Sequence, residues 1–170
     1  NVNSFDIDQG RKPDIVGDIC THEFDSNYFD YIVICEVLEH VHSPHLAISN
    51  LFKTLKPGAK LILTTPFTLP IHEAPRDYYR YTKYGLEFLL REFSEVKVMA
   101  RNSYFEAIDV LWLRTIQSQN KRTRMFGLMA VPFVFLIHRP FTLLFKAVAD
   151  SEELTTGYNA TAYRPVGPIS

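Results

Sequence analysis

Three acidic residues stand where strand-like runs end: Asp6, Asp18 and Glu36. A carboxylate at such a place can accept two ribose hydroxyls, and one at the next strand end can accept an adenine amino group beside a backbone N–H. These contacts suit any adenosine-bearing ligand, because ligands of open α/β sheets bind at the carboxyl ends of the strands. The same acids, with Asp8, also fit a plainer role as turn and cap residues. Two histidine groups offer bases that titrate near neutrality. His40, His42 and His45 follow the run Tyr31 to Cys35, and His72 opens the polar, aromatic run His72 to Thr82. That second run mixes a base, the cations Arg76 and Arg80, Asp77, and the hydroxyls of Tyr78, Tyr79 and Tyr81. Such a loop can hold a polar substrate and exclude water. It also fits a rigid surface loop in which arginine pairs with acid and the tyrosines pack. His40 reads first as a packed or capping histidine. Pro44 interrupts the histidine spacing and no cysteine or acid completes a ligand set, so no metal is expected.

The elements that must position these residues alternate. Val2 to Ile7 and Asp14 to Ile19 read as short strands. Tyr31 to Cys35 reads as a strand buried on both faces, since it is almost continuously apolar. Ser43-Pro44 offers a cap with proline at the first helical position. Leu46, Ile48, Leu51, Phe52 and Leu55 form the apolar side of that helix, Lys56-Pro57-Gly58 stops it, and Lys60 to Thr65 is a further strand. A helix from Thr82 to about Glu92, a strand near Val96 to Met99, a helix from Tyr104 to Gln117 and a last strand at Tyr158 to Tyr163 follow. Strands alternating with helices predict an α/β sheet.

The run Phe29-Asp30-Tyr31-Ile32-Val33-Ile34-Cys35-Glu36-Val37-Leu38-Glu39-His40-Val41, followed by Leu55-Lys56-Pro57-Gly58 and the strand to Pro66, resembles the fourth-strand, helix and fifth-strand region of class I S-adenosylmethionine-dependent methyltransferases. The resemblance covers about residues 1 to 100. It implies a Rossmann-like methyltransferase sheet with S-adenosylmethionine as cofactor. It matches Asp6 to the ribose-binding acid, Asp18 with Ile19 to the adenine-contacting pair, and Cys35 with Glu36 to the strand end along the cofactor's methionine part. The loop His72 to Thr82 is similar to that of methyltransferases found with surface-polysaccharide and other glycan genes. That likeness implies a glycan or small-molecule acceptor held by Asp77, Tyr78 and Arg80, with His72 as first candidate base and His40 as second. In the family, a first strand followed by a glycine-rich turn stands between the strands ending at Asp6 and at Cys35. No Gly-x-Gly precedes Asp6, so both features are missing from this sequence. The expectation is a natural protein longer than this one, and impaired cofactor binding without that segment. Two other readings are a nicotinamide-dependent α/β enzyme and a catalytically silent, methyltransferase-like partner domain.

Bulk properties set the outer bounds. A length of 170 residues, 46% hydrophobic, suits one domain with a normal core. It divides by resemblance into a cofactor-binding core (1–100), a helical cover (101–157) and a last strand with its tail (158–170). A net charge of -1 argues against nucleic acid as a partner. Cys20 and Cys35 are too few for a disulfide framework and read as buried thiols of a reducing, cytoplasmic compartment. The stretch Met125 to Ala149 is strongly apolar and follows Lys121-Arg122-Thr123-Arg124. Pro132 and Pro140 predict two short helices with a bend, too interrupted to span a bilayer cleanly. Such a pair can cover the acceptor side, contact a membrane from one side, or join two copies of the chain.

Overall fold

A computed structural model describes residues 2–149 and 151–167. The chain divides into two compact units. The first holds residues 1–65, 73–98 and 159–170, and the second holds 66–72 and 99–158.

The first unit carries the sheets. Strand β1 (Phe5–Asp6) pairs in parallel with β2 (Ile15–Val16), Phe5 opposite Ile15 and Asp6 opposite Val16. These strands are shorter than the sequence suggests. Asp14 clasps them, its carboxylate accepting from the Ser4 N–H at 2.7 Å and the Ser4 hydroxyl at 2.8 Å. These bonds favour the charged form and hold the Asp14 carboxyl below the usual carboxylate range, the backbone bond contributing most.

The other sheet has the order β3-β4-β6-β5, from β3 (Phe29–Cys35), β4 (Leu55–Pro66), β5 (Ser94–Ala100) and β6 (Gly157–Tyr163). β3 runs parallel to β4 with Ile32 opposite Leu61 and Cys35 opposite Thr64. β4 starts earlier than expected, because Lys56-Pro57-Gly58 is a bulge within the strand and does not precede it. Gly58 takes φ +81°, and the register slips between Phe29 and Tyr31.

Helix α1 (Pro44–Thr54) has proline in its first turn, as anticipated, but the Ser43 side chain makes no capping bond. Its buried stripe, Ala47, Ile48, Leu51 and Thr54, follows the helical period. Leu55, Leu61 and Leu63 of β4 are fully buried. Helix α2 (Lys83–Leu89) is capped by the Thr82 hydroxyl, which accepts from Gly85 N–H at 3.1 Å. Phe93 closes this core against Phe52, edge to face at 5.0 Å.

Two expectations about β3 are corrected. It is an outer strand, and its side chains alternate: Ile34 is buried, whereas Tyr31 is 68% and Val33 61% exposed. Cys35, on the exposed side of that alternation, is an exposed thiol instead of a buried one. The resemblance calls for a strand between β1 and β3, and among the described residues none pairs there. Cys20, also expected to be buried, is only partly so. Burial, reinforced by Asp18, pushes its ionisation up.

The second unit is helical. Helix α3 (Tyr104–Ile116) starts on Ser103, whose N–H donates to the Glu106 carboxylate at 3.1 Å. Asn120 caps α4 (Lys121–Phe133), its side-chain oxygen accepting from the N–H groups of Arg122 at 2.9 Å and Thr123 at 3.3 Å. The two short helices expected here are one continuous helical run. α4 passes through a π-helical turn, Val134–His138, into α5 (Arg139–Ala149). The wider turn lets Arg139 N–H reach the Val134 carbonyl, and it lies where Pro140 disturbs the ladder, so the helix continues without a break. The run from Lys121 to Phe145 is therefore long and apolar enough to cross a membrane, against the expectation from its prolines.

Candidate functional site

All five residues matched to the cofactor lie in the first unit. Asp6 closes β1. Its carboxylate accepts from the Asp8 N–H at 2.8 Å and lies 3.4 Å from the Arg11 guanidinium. Asp8 in turn accepts from Gly10 N–H at 2.8 Å and caps the 3-10 turn Gln9–Arg11. Asp18 follows β2 by two residues and accepts from the Cys20 N–H at 2.8 Å. The turn behind it is tied down by Asn50, whose amide donates to the carbonyls of Ile19 at 3.0 Å and His22 at 2.8 Å. Both acids therefore serve as turn residues, as the plainer reading has it. Each retains acceptor capacity, since a carboxylate offers about four lone-pair sites.

Cys35 and Glu36 stand where β3 ends. Glu36 takes φ +53°, the left-handed region that costs a residue with a Cβ free energy and concentrates at functional sites. Two bonds to the neighbouring strand hold it there. Its N–H donates to the Thr64 carbonyl at 3.0 Å, and the Thr64 hydroxyl donates to its carboxylate at 3.0 Å. The register that sets Cys35 opposite Thr64 thus fixes the carboxylate at the end of the sheet.

A second constellation adjoins this strand end. The chain makes a 3-10 turn at Leu38–His40, and the segment from Glu73 to Thr82 wraps it. Tyr78 and Tyr79 donate their N–H groups to the Glu39 carbonyl at 2.9 and 3.2 Å. The Tyr79 hydroxyl donates to the His42 carbonyl and the Tyr81 hydroxyl to the Leu38 carbonyl, both at 3.1 Å. Burial raises the Tyr81 phenol well above its ordinary range, so it remains a donor. His40 Nδ1 lies 2.6 Å from the Arg76 carbonyl, a contact that requires Nδ1–H as donor and directs Nε2 toward the Glu39 carboxylate 3.7 Å away. His40 is thus an oriented histidine inside a packed turn.

Asp77 and Arg80 face each other in a two-pronged pair at 2.5 and 2.7 Å, with the Asp77 side chain 1% exposed. Asp77 raises the Arg80 guanidinium further, and Glu39 and Glu36 add to its field. The fork of Arg80 is therefore committed first to Asp77. Tyr78, half exposed, is the member of the predicted acceptor set most open to solvent. His72 is the last residue of the 66–72 segment of the second unit and is partly exposed.

Sequence reasoning did not single out Glu39 or Thr64. Glu39 is fully buried beside three ionisable or aromatic neighbours in sequence and space. A charged residue within the apolar run Val37 to Val41 was the available sign of it. The role of Thr64 depends on strand register, which no local pattern discloses.

Comparison with known proteins gives a consistent result. Residues 3–120 match the family model described as a methyltransferase domain. A stretch of 58 residues is 40% identical to lovastatin diketide synthase of Monascus pilosus, covering 34% of this chain and 2% of that protein. Phosphoethanolamine N-methyltransferase 2 of Haemonchus contortus, in complex with S-adenosyl-L-methionine, superposes at a TM-score of 0.52 with 20% identity, over 88% of this chain and 36% of that one. A SAM-dependent methyltransferase of Archaeoglobus fulgidus gives 0.53 with 14% identity, over 88% and 66%. At such identities the structures establish a shared α/β fold, and the chain spans only part of each relative.

Proposed function

From the premise that this chain belongs to the methyltransferase domain family, we propose that it supplies the cofactor-binding core of an S-adenosylmethionine-dependent enzyme that methylates a small-molecule or glycan acceptor. The observation that carries this reading is Glu36, held in a left-handed conformation at the end of β3 by two bonds to Thr64. Strain is retained where the surroundings over-determine it, and a carboxylate fixed at a parallel strand end suits a polar ligand laid across the sheet.

The donor and acceptor chemistry at the strand ends fits the cofactor. Asp6 would accept from the ribose hydroxyls, Asp18 and Ile19 would meet the adenine, and Cys35 with Glu36 would flank the methionine part. When bound, S-adenosylmethionine supplies a methyl group already activated on a sulfonium, so the protein has chiefly to align donor and acceptor. His72, the first candidate base, would take the acceptor's proton, and His40 is the second. The orientation of His40 by the Arg76 carbonyl leaves its Nε2 as the nitrogen able to receive a proton. Tyr78 would touch the acceptor directly. Asp77 and Arg80 would shape that side as a pair.

Calorimetric titration of S-adenosylmethionine into the full-length gene product tests the cofactor assignment. Losing a charge-assisted hydrogen bond costs about 1.5–3 kcal/mol, so Asp6→Ala should weaken binding by roughly tenfold or more, and Asp18→Ala should weaken it as well. Unchanged affinity in both variants would sink the assignment. Absence of any binding to the unaltered protein would favour a silent partner domain.

A further inference from the structure

We propose that the helix from Lys121 to Phe145 lies in the plane of an anionic lipid surface, its apolar sides sunk at the headgroup boundary and its basic residues on the phosphates. This goes beyond the methyl-transfer reading and does not depend on it.

The helix is 25 residues long, and its most apolar 18-residue window has a mean hydropathy of 1.7, yet only 11% of that window is buried. One narrow stripe faces α3: Gly127, Val134 and Thr142 are buried, with His138 partly so. Around the rest of its circumference the apolar side chains stand in solvent. Met129 is 74%, Leu136 76% and Leu144 71% exposed, and Phe126, Phe133 and Ile137 are each about half exposed or more. A helix apolar nearly all round belongs in a core or a membrane, and this one is not in a core. Soluble monomers rarely show so continuous a patch.

Charge chooses the occupant. From Lys121 to Ala149 the sequence contains Lys121, Arg122, Arg124, Arg139 and Lys146 and no aspartate or glutamate, although the chain as a whole has a net charge of -1. Lys121, Arg122 and Arg124 are exposed at the start of the helix. A cationic, acid-free apolar helix inside a near-neutral chain complements a negatively charged lipid surface. A second copy of the same helix would oppose cation to cation.

Lying in the plane, and not spanning, follows from what is bound to the helix. Asp109 of α3 is buried and lies 2.8 Å from His138 Nδ1 and 3.4 Å from the Arg139 guanidinium. A spanning pose would carry this charged cluster, with the exposed Arg114 of α3, into hydrocarbon, where ionised groups are expensive. In the plane, the half-exposed Arg139 reaches the headgroups along its own aliphatic stem.

The test is flotation of the full chain with two kinds of vesicle: phosphatidylcholine alone, and phosphatidylcholine mixed equally with phosphatidylserine. The chain should float with the mixed vesicles and stay largely in the aqueous fraction with the neutral ones. Neutralising Lys121, Arg122 and Arg124 to glutamine should lower partitioning to the mixed vesicles about a hundredfold, since each basic residue near an anionic surface contributes about a factor of five. Met129→Glu with Leu136→Glu should abolish it. These are surface positions, and an unchanged circular-dichroism spectrum will establish that each variant is folded. Equal flotation with both vesicles would overturn the anionic-surface assignment. A protein that stays in the aqueous fraction, as a monomer or as a dimer by light scattering, would overturn membrane attachment altogether. Accessibility of an introduced cysteine from the far side of sealed vesicles would replace the in-plane pose with a span.

Discussion

Arg80 and His72 illustrate why neighbouring residues of one loop answer different questions. Asp77 is almost wholly enclosed and its carboxylate is met by two guanidinium nitrogens. Removing Arg80 takes two charge-assisted hydrogen bonds from that carboxylate, and such bonds typically contribute about 1.5–3 kcal/mol each. Arg80→Ala is therefore expected to shift the denaturation midpoint strongly, and any loss of turnover in it will be mostly loss of folded protein. His72→Ala, at a partly exposed position, should lower turnover while leaving both the midpoint and the S-adenosylmethionine affinity nearly intact. Denaturant titration beside steady-state kinetics separates the two. Equal midpoints in both variants would mean that the Asp77–Arg80 pair contributes little to stability.

At the scale of the element, the contact between α3 and α4 is set by one glycine. A Cβ built on Gly127 would lie 2.3 Å from the Thr115 hydroxyl oxygen and 2.9 Å from the Ile116 backbone nitrogen. Helix propensity alone predicts that alanine would stabilise α4 by about 0.8–1.0 kcal/mol. Steric crowding against backbone opposes it and costs about 1–3 kcal/mol. The crowding prevails because a backbone nitrogen cannot turn aside as a side-chain end can. Gly127→Ala should therefore destabilise the helical unit, by about 1 kcal/mol or more, in chemical denaturation followed by the fluorescence of Trp112, whose ring lies 6.2 Å from Phe126. A gain in stability would show that the helices part readily. The π-helical turn Val134–His138 stands where Pro140 would otherwise meet the carbonyl one turn before it, and the helix continues.

At the scale of the whole chain, the exposed apolar side chains of β3 bear on behaviour in solution. Tyr31 and Val33 project from an outer strand whose edge is unpaired among the described residues. Such an edge recruits other strands, and charged side chains on it, lysine especially, are a common protection. Tyr31→Lys with Val33→Lys should slow heat-induced aggregation several-fold, read by light scattering, with little change in the unfolding midpoint because neither side chain is buried. An unaltered aggregation rate would place the sticky surface elsewhere, with the apolar helix of the second unit the next to test.

The order of strands and helices was legible in the sequence because apolar periodicity, Thr82 and Pro44 act locally, whereas the bulge at Gly58 depends on pairing with β3. The candidate acids at strand ends were legible for the same reason: Asp6, Asp18 and Glu36 each end a run of strand-forming residues. What depends on distant partners was not. The left-handed turn at Glu36 is held by Thr64, a residue of another strand, and the commitment of Arg80 to Asp77 depends on a loop folded over Leu38–His40. Tertiary structure alone also decided that the run after Asn120 is one helix, since a proline's local penalty can be offset by a wider turn that packing against α3 supports. It decided, too, that Tyr31, Val33 and Cys35 face outward. An apolar run announces that its side chains favour burial, but what covers each face is a property of the assembled molecule.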